Sequence, residues 1–116
     1  MSVPLAEGKS GTLDGSGDGT LVIGPVPVGH RWNIERMIVE IDGGVSSNIG
    51  AVCRVYRGPA LTHNLIDASI RAGLDISELP RPLVLHSGEE VRFVFSGGTA
   101  ATRFSAAING FWTKGT

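Results

Sequence analysis

Asp14, Ser16 and Asp18 alternate in the stretch DGSGDG and Gly19 follows. That is how an EF-hand calcium loop begins, with side-chain oxygens at alternate positions turned onto one cation. A complete loop also needs a bidentate carboxylate at its twelfth position. Counted from Asp14, that position is Pro25, and the ninth is Val22. The ligand set is broken, so the stretch reads as a soluble Gly/Ser/Asp hinge and no metal is expected there.

The other reactive side chains are scattered. His30, His63 and His86 fall at the ends of apolar runs or between them, without the His-x-His pair of a metal-binding β-barrel enzyme. Cys53 sits between Val52 and Arg54 with no neighbour to lower its pKa, and reads as a small core residue. Asp67, Asp75, Glu78, Glu89 and Glu90 supply carboxylates, but none has the apolar setting that drives two acid groups apart in pKa. No nucleophile elbow and no phosphate-cradling loop is present, since the glycine clusters precede strands rather than helices. The expectation is a chain that binds rather than catalyses, with no catalytic residue, cofactor or metal. Recognition then falls to aromatics. Phe111 and Trp112 are adjacent on one strand, so one must face outward, and a subunit contact suits it better than a sugar platform.

The elements that position these residues are strands. The 116 residues suffice for one core. Charged residues are 18% of the chain, below the roughly 25% of an average soluble protein, and there are 17 glycines. Net charge is −1 with no basic run, which gives no footprint for nucleic acid or an anionic membrane. Leu21 to Val28, interrupted by Gly24, Pro25 and Pro27, is far too short to cross a bilayer. MSVPLAEGKSG lacks the charged start and apolar run of a secretion signal, and the lone Cys53 fits a reducing cytoplasm.

Beyond Thr20, β-branched and aromatic residues alternate with period two between Gly, Pro, Asn and Ser clusters. Strands are expected near Leu21–Gly24, His30–Asp42, Ala51–Arg57, Leu65–Ile70, Pro82–His86, Glu90–Ser96 and Arg103–Thr113. In EEVRFVFSGG, Val91, Phe93 and Phe95 point one way. In HRWNIERMIVEID, Trp32, Ile34 and Ile38 share a face with Arg36 and Glu40, while Met37, Val39 and Ile41 share the other with Asn33 and Glu35. The apolar face therefore switches midway. A bulge or a crossing between sheets explains it, and a helix is the rival that the β-branched content and flanking turns oppose. Gly110 is expected to make room for a bulge or a neighbouring backbone. GPVPVG, IDGGVSSN and HSGEE are turns. Pro80 and Pro82 confine ELPRPL to a sheet edge. The fold class is all-β, an antiparallel β-sandwich or jelly-roll-like barrel of about seven or eight strands.

Residues 1–19 differ. From Ser2 to Thr20 there are five glycines and few large apolar side chains, too few to repay ordering. They are read as a flexible N-terminal arm ahead of a β-sandwich domain at 20–116. Val3, Leu5 and Leu13 are the arm's anchors for a partner's pockets; with Phe111 and Trp112 they make up the expected interface.

The segments GPVPVGHRWNIERMIVEI, CRVYRG, LIDAS and PLVLHSGEEVRFVFSGG together resemble small virion proteins of tailed bacteriophages, especially those of actinobacteria. The likeness runs from about Gly19 to Trp112 in pattern and order, and carries no binding motif residue by residue. It implies a non-enzymatic β-sandwich or β-barrel module. The leading expectation is a capsid decoration protein, assembled in the host cytoplasm, that stabilises the head by laying its arm on the major capsid protein. The resemblance also implies a homo-oligomer, with a trimer favoured. The alternative is a tail or fibre component: a ring, a knob or a host-glycan-binding tip in which Trp112, Phe111 and Tyr56 would meet the sugar.

Overall fold

The computed structural model describes residues 2–42, 51–68 and 73–115. Eight strands follow one another: β1 Val3–Thr12, β2 Gly19–Ile23, β3 His30–Ile41, β4 Val52–Arg57, β5 Leu65–Ala68, β6 Gly73–His86, β7 Val91–Ser96 and β8 Arg103–Lys114. A 3-10 turn at Thr62–Asn64 precedes β5. The strands form two four-stranded sheets, ordered β1-β8-β3-β6 and β2-β7-β4-β5. Every pairing is antiparallel. This is the strand order of a jelly roll, a two-sheet sandwich in which the chain crosses from one sheet to the other at most of its connections.

Alternation builds the core. Val91, Phe93 and Phe95 of β7 are buried, as are Cys53 and Val55 of β4 and Leu21 and Ile23 of β2. The long sheet opposes them with Leu5, Trp32, Ile34, Met37, Val39, Ile41, Leu85, Phe104, Ala106 and Ile108. Phe95 and Phe104 meet across the layers with ring centroids 4.5 Å apart and planes tilted by 55°, a geometry that aromatic quadrupoles favour.

The face switch in β3 is a bulge. Its register slips between Ile34 and Arg36 against both β6 and β8. Trp32 and Ile34 point inward before the slip, and Met37, Val39 and Ile41 after it, while Glu35 and Arg36 are exposed. Gly110 lies opposite Ile34, and a Cβ there would collide with the Asn33 carbonyl oxygen and lie 3.0 Å from the Glu35 nitrogen. The bulge therefore needs a residue without a side chain on the neighbouring strand. β6, which carries Pro80 and Pro82, is an edge strand as expected, but it starts at Gly73 instead of Pro82. Most of the IDGGVSSN turn and the end of the expected strand at Ile70 lie outside the described residues.

The expected arm at residues 1–19 is corrected from Val3 onward, where the chain is a strand of the sandwich. β1 pairs with β8 from Val3 opposite Trp112 to Thr12 opposite Arg103, and Leu5 and Leu13 are 5% and 2% exposed within the chain's own core. A segment poor in apolar side chains cannot order alone, but β8 supplies the main-chain partners that satisfy one side of β1. Two leucines are then enough to seat it. Among the described residues, those before Thr20 share one core and one sheet with those after it.

DGSGDG is accordingly no hinge between arm and body. It is the crossing from β1 to β2. The Asp14 N–H donates to the Asp18 carbonyl (2.8 Å), and the Asp14 carboxylate accepts from the Ser16 and Asp18 N–H groups (2.8 and 3.0 Å). That is an Asx-type turn. It docks on the β7–β8 connection, where Gly98 N–H donates to the Gly17 carbonyl and Ala101 N–H to that of Leu13 (both 3.0 Å).

Two substitutions check this architecture. Gly110→Ala should lower stability by at least about 2 kcal/mol in urea unfolding, whereas Gly15→Ala, whose Cβ would meet nothing within 4 Å, should stay within about 0.5 kcal/mol of the parent. Leu13→Ala should cost about 2–4 kcal/mol as a core truncation; a side chain in a solvated arm would cost almost nothing.

Candidate functional site

Three connections meet at one end of the sandwich. Between β2 and β3, Val26 turns inward and is 2% exposed, while Val28, two residues on, is 93% exposed. The β6–β7 turn holds this loop: Val26 N–H donates to the Glu89 carbonyl (2.9 Å) and Gly88 N–H to the Val26 carbonyl (2.9 Å). Ser87 Oγ accepts from Gly29 N–H (3.2 Å) and lies 3.1 and 3.2 Å from the Pro27 and His30 carbonyls, to which its one proton can be given. The β4–β5 connection joins the same turn, with Gly58 N–H donating to the Glu90 carbonyl (3.0 Å). Val28 is thus an apolar side chain held out in water on a braced loop.

The long sheet completes the feature. Val3, Trp112, Trp32 and Leu85 lie in one cross-strand row on its inner face. Trp32 and Leu85 are buried, and Trp112 packs partly against the core. The His30 ring stacks on Trp112, centroids 4.0 Å apart and planes within 10°. Val3, Val28, Gly29, His30, Trp112 and Lys114 line an open cavity of about 420 Å³. Its walls are aliphatic and aromatic, with one cation at the rim, which suits contact with an apolar or flat group.

The five expected interface residues therefore divide. Val3 and Trp112 come together at this cavity. Leu5 and Leu13 are spent on the core and present nothing to a partner. Phe111 sits on the opposite face of its sheet, paired with Pro4 and Asn33. Tyr56 belongs to the other sheet, next to Arg92, so Trp112, Phe111 and Tyr56 form no common platform. Val28 and His30 were not among the expected residues. A valine between Pro27 and Gly29 carries no periodic signal, because the loop and not a strand decides which way it points.

Beside this end, Arg57 makes a forked pair with Glu89, Nη2 to Oε1 at 3.0 Å and Nε to Oε2 at 3.2 Å, and His86 N–H donates to the same carboxylate at 2.7 Å. The Arg57 hydrogen bonds hold the Glu89 carboxyl below its usual 4.5, outweighing the desolvation that raises it, and the His86 N–H acts in the same direction as Arg57. Hydrogen bonds from Asp18 and Ser16 likewise lower Asp14. Glu90 pairs with Arg92 at 3.5 Å, and Cys53 is buried. Across the fold, the bulge exposes Glu35 and Arg36 beside Leu79 and Asn109 in a polar cleft of about 290 Å³. Among the described residues, no three His, Cys, Asp or Glu side chains gather where they could hold a metal ion. The side chains of Asp67, Asp75 and Glu78 lie outside the described set.

Comparison with known proteins finds no matching family, no matching curated relative and no matching solved structure.

The Arg57–Glu89 pair sets a pH dependence. A carboxyl whose folded-state pKa is depressed binds its proton more readily in the unfolded chain. Its stabilising contribution is complete above about pH 4.5 and is lost as pH falls through the lower folded value. The gap in urea midpoint between the parent and Glu89→Gln should be widest near neutral pH and close below about pH 4.5. A gap independent of pH would contradict the assignment.

Proposed function

We propose that the chain is a non-enzymatic structural protein of a tailed-phage virion, a capsid decoration protein that seats on the head shell with the Val28–Trp112 end of its sandwich. The observation that carries this reading is Val28, 93% exposed on a loop braced by the β6–β7 turn and set over the cavity of Val3, His30 and Trp112. An apolar side chain fixed in water beside an aromatic stack is a ready anchor for a protein surface. The resemblance of the core segments to small phage virion proteins supplies the particle. The jelly roll is compatible with it but not specific, because capsid, lectin and cupin domains share that architecture. Seating by an N-terminal arm is no part of this proposal, since β1 is committed to β8. The partner is the major capsid protein, and the protein's place is the outer surface of a head assembled in the host cytoplasm.

A tail or fibre module is the second reading. It draws on Trp112 lining a cavity with Lys114 at its rim, an arrangement able to take a sugar ring. Trp112→Ala should then abolish binding to host glycans.

Val28→Asp separates the two. Fully exposed, it should leave stability within about 0.5 kcal/mol yet weaken co-sedimentation with heads lacking the protein by about tenfold or more. Heads that bind the variant as tightly as the parent would refute seating through this end, and parent protein that binds tails but not heads would favour the second reading.

A further inference from the structure

Among the described residues the sandwich has four strand edges, and three are short or interrupted by proline. β6 carries Pro80 and Pro82, β5 has 4 residues and β2 has 5; prolines and shortness are ordinary ways to blunt an edge. β1 is different. It has 10 residues, all paired on the β8 side and, among the described residues, none on the other.

The main-chain groups on that open side can be assigned. Asp42 N–H donates to the Arg103 carbonyl and Leu13 N–H to the Thr102 carbonyl. Odd-numbered residues of β8 therefore face β3 and even-numbered ones face β1. In β1 the odd-numbered residues face β8, which leaves Ala6, Gly8 and Ser10 with N–H and C=O pointing out of the sheet. Pro4 shares that parity, so its missing donor is lost from the end of the open edge and not from the ladder with β8; the edge from Ala6 to Ser10 keeps all its donors.

Glu7 and Lys9 flank Gly8 and both are exposed. They lie on the inner side of the long sheet, opposite the buried Ile108 and Ala106, at a margin the second sheet does not cover. Against an arbitrary strand, two such charges are an obstacle. Against a second copy of β1 they are not.

We propose that two copies of this chain pair edge to edge through β1, antiparallel about a two-fold axis at Gly8. Gly8 then lies opposite its own mate, each donating N–H to the other's carbonyl, and Ala6 lies opposite Ser10. Glu7 of each copy faces Lys9 of the other, in the non-hydrogen-bonded positions where side chains approach most closely. The register is selected by charge. A shift of the axis by one residue sets Glu7 against Glu7 or Lys9 against Lys9, and like charges directly opposite are unfavourable. The outcome is a continuous eight-stranded sheet with a self-complementary contact. The pairing is independent of the virion reading. A three-fold arrangement in a particle needs a different, head-to-tail surface and does not compete with it.

Sedimentation equilibrium on the full chain tests this. The parent should weigh as a dimer that dissociates on dilution. Lys9→Glu sets Glu opposite Glu, and Glu7→Lys sets Lys opposite Lys; each should raise the dissociation constant roughly tenfold. The double exchange Glu7→Lys with Lys9→Glu restores opposite charges and should return it to within about twofold of the parent. As a second readout, chains bearing Glu7→Cys mixed with chains bearing Lys9→Cys should oxidise to the mixed disulfide far faster than either alone. A monomer at every concentration, an assembly indifferent to the single exchanges, or a double exchange as weak as the single ones would each overturn the proposal.

Discussion

The main-chain ladder between β1 and β8 is the constraint on which the rest of the structure depends. It covers one side of β8, whose other side is taken by β3, and so puts β8 in the interior of its sheet. It also carries Leu5 and Leu13 into the core and fixes where the first crossing between sheets occurs. The Asx turn at Asp14 and its contacts with the β7–β8 connection follow from that position. Because hydrogen bonds to a neighbouring strand replace those to water, a glycine-rich segment with two buried leucines is held without an extensive apolar face of its own.

A second constraint sits in the middle of the long sheet. The bulge between Ile34 and Arg36 lets β3 keep apolar residues inward on both sides of the slip, and Gly110 gives it room. Without the extra residue, either Trp32 and Ile34 or Met37, Val39 and Ile41 would face solvent. The same slip aligns Trp32 with Trp112, and so brings Val3, Trp112 and the His30 ring to the end where the β2–β3 loop presents Val28. The candidate surface is thus a product of strand register and loop bracing together.

Much of this was legible in the residues. The alternation of Val91, Phe93 and Phe95 named the inward face of β7, the face switch in β3 called for either a bulge or a crossing between sheets, and Pro80 with Pro82 marked an edge. β1 was not legible, because Glu7, Gly8 and Lys9 interrupt the alternation begun by Val3 and Leu5, and an edge strand over an uncovered margin tolerates charges that a central strand would not. The start of β6 was missed for a related reason: prolines near its far end suggest a shorter strand than an edge allows. At the candidate site, Val3 and Trp112 could be named from composition and adjacency. Their meeting with Val28 and His30 depends on register and on a loop whose valines, Val26 and Val28, point in opposite directions for reasons of loop geometry alone.

Residue-resolved amide hydrogen exchange on the dilute full-length chain tests the central claim most directly. If β1 is an integral strand hydrogen-bonded to β8, the amides of Leu5, Glu7 and Lys9 will exchange as slowly as those of β8, and those of Ala6, Gly8 and Ser10 between them will exchange fast. Uniformly fast exchange across Val3–Thr12, with β8 protected only on its β3 side, would contradict the account.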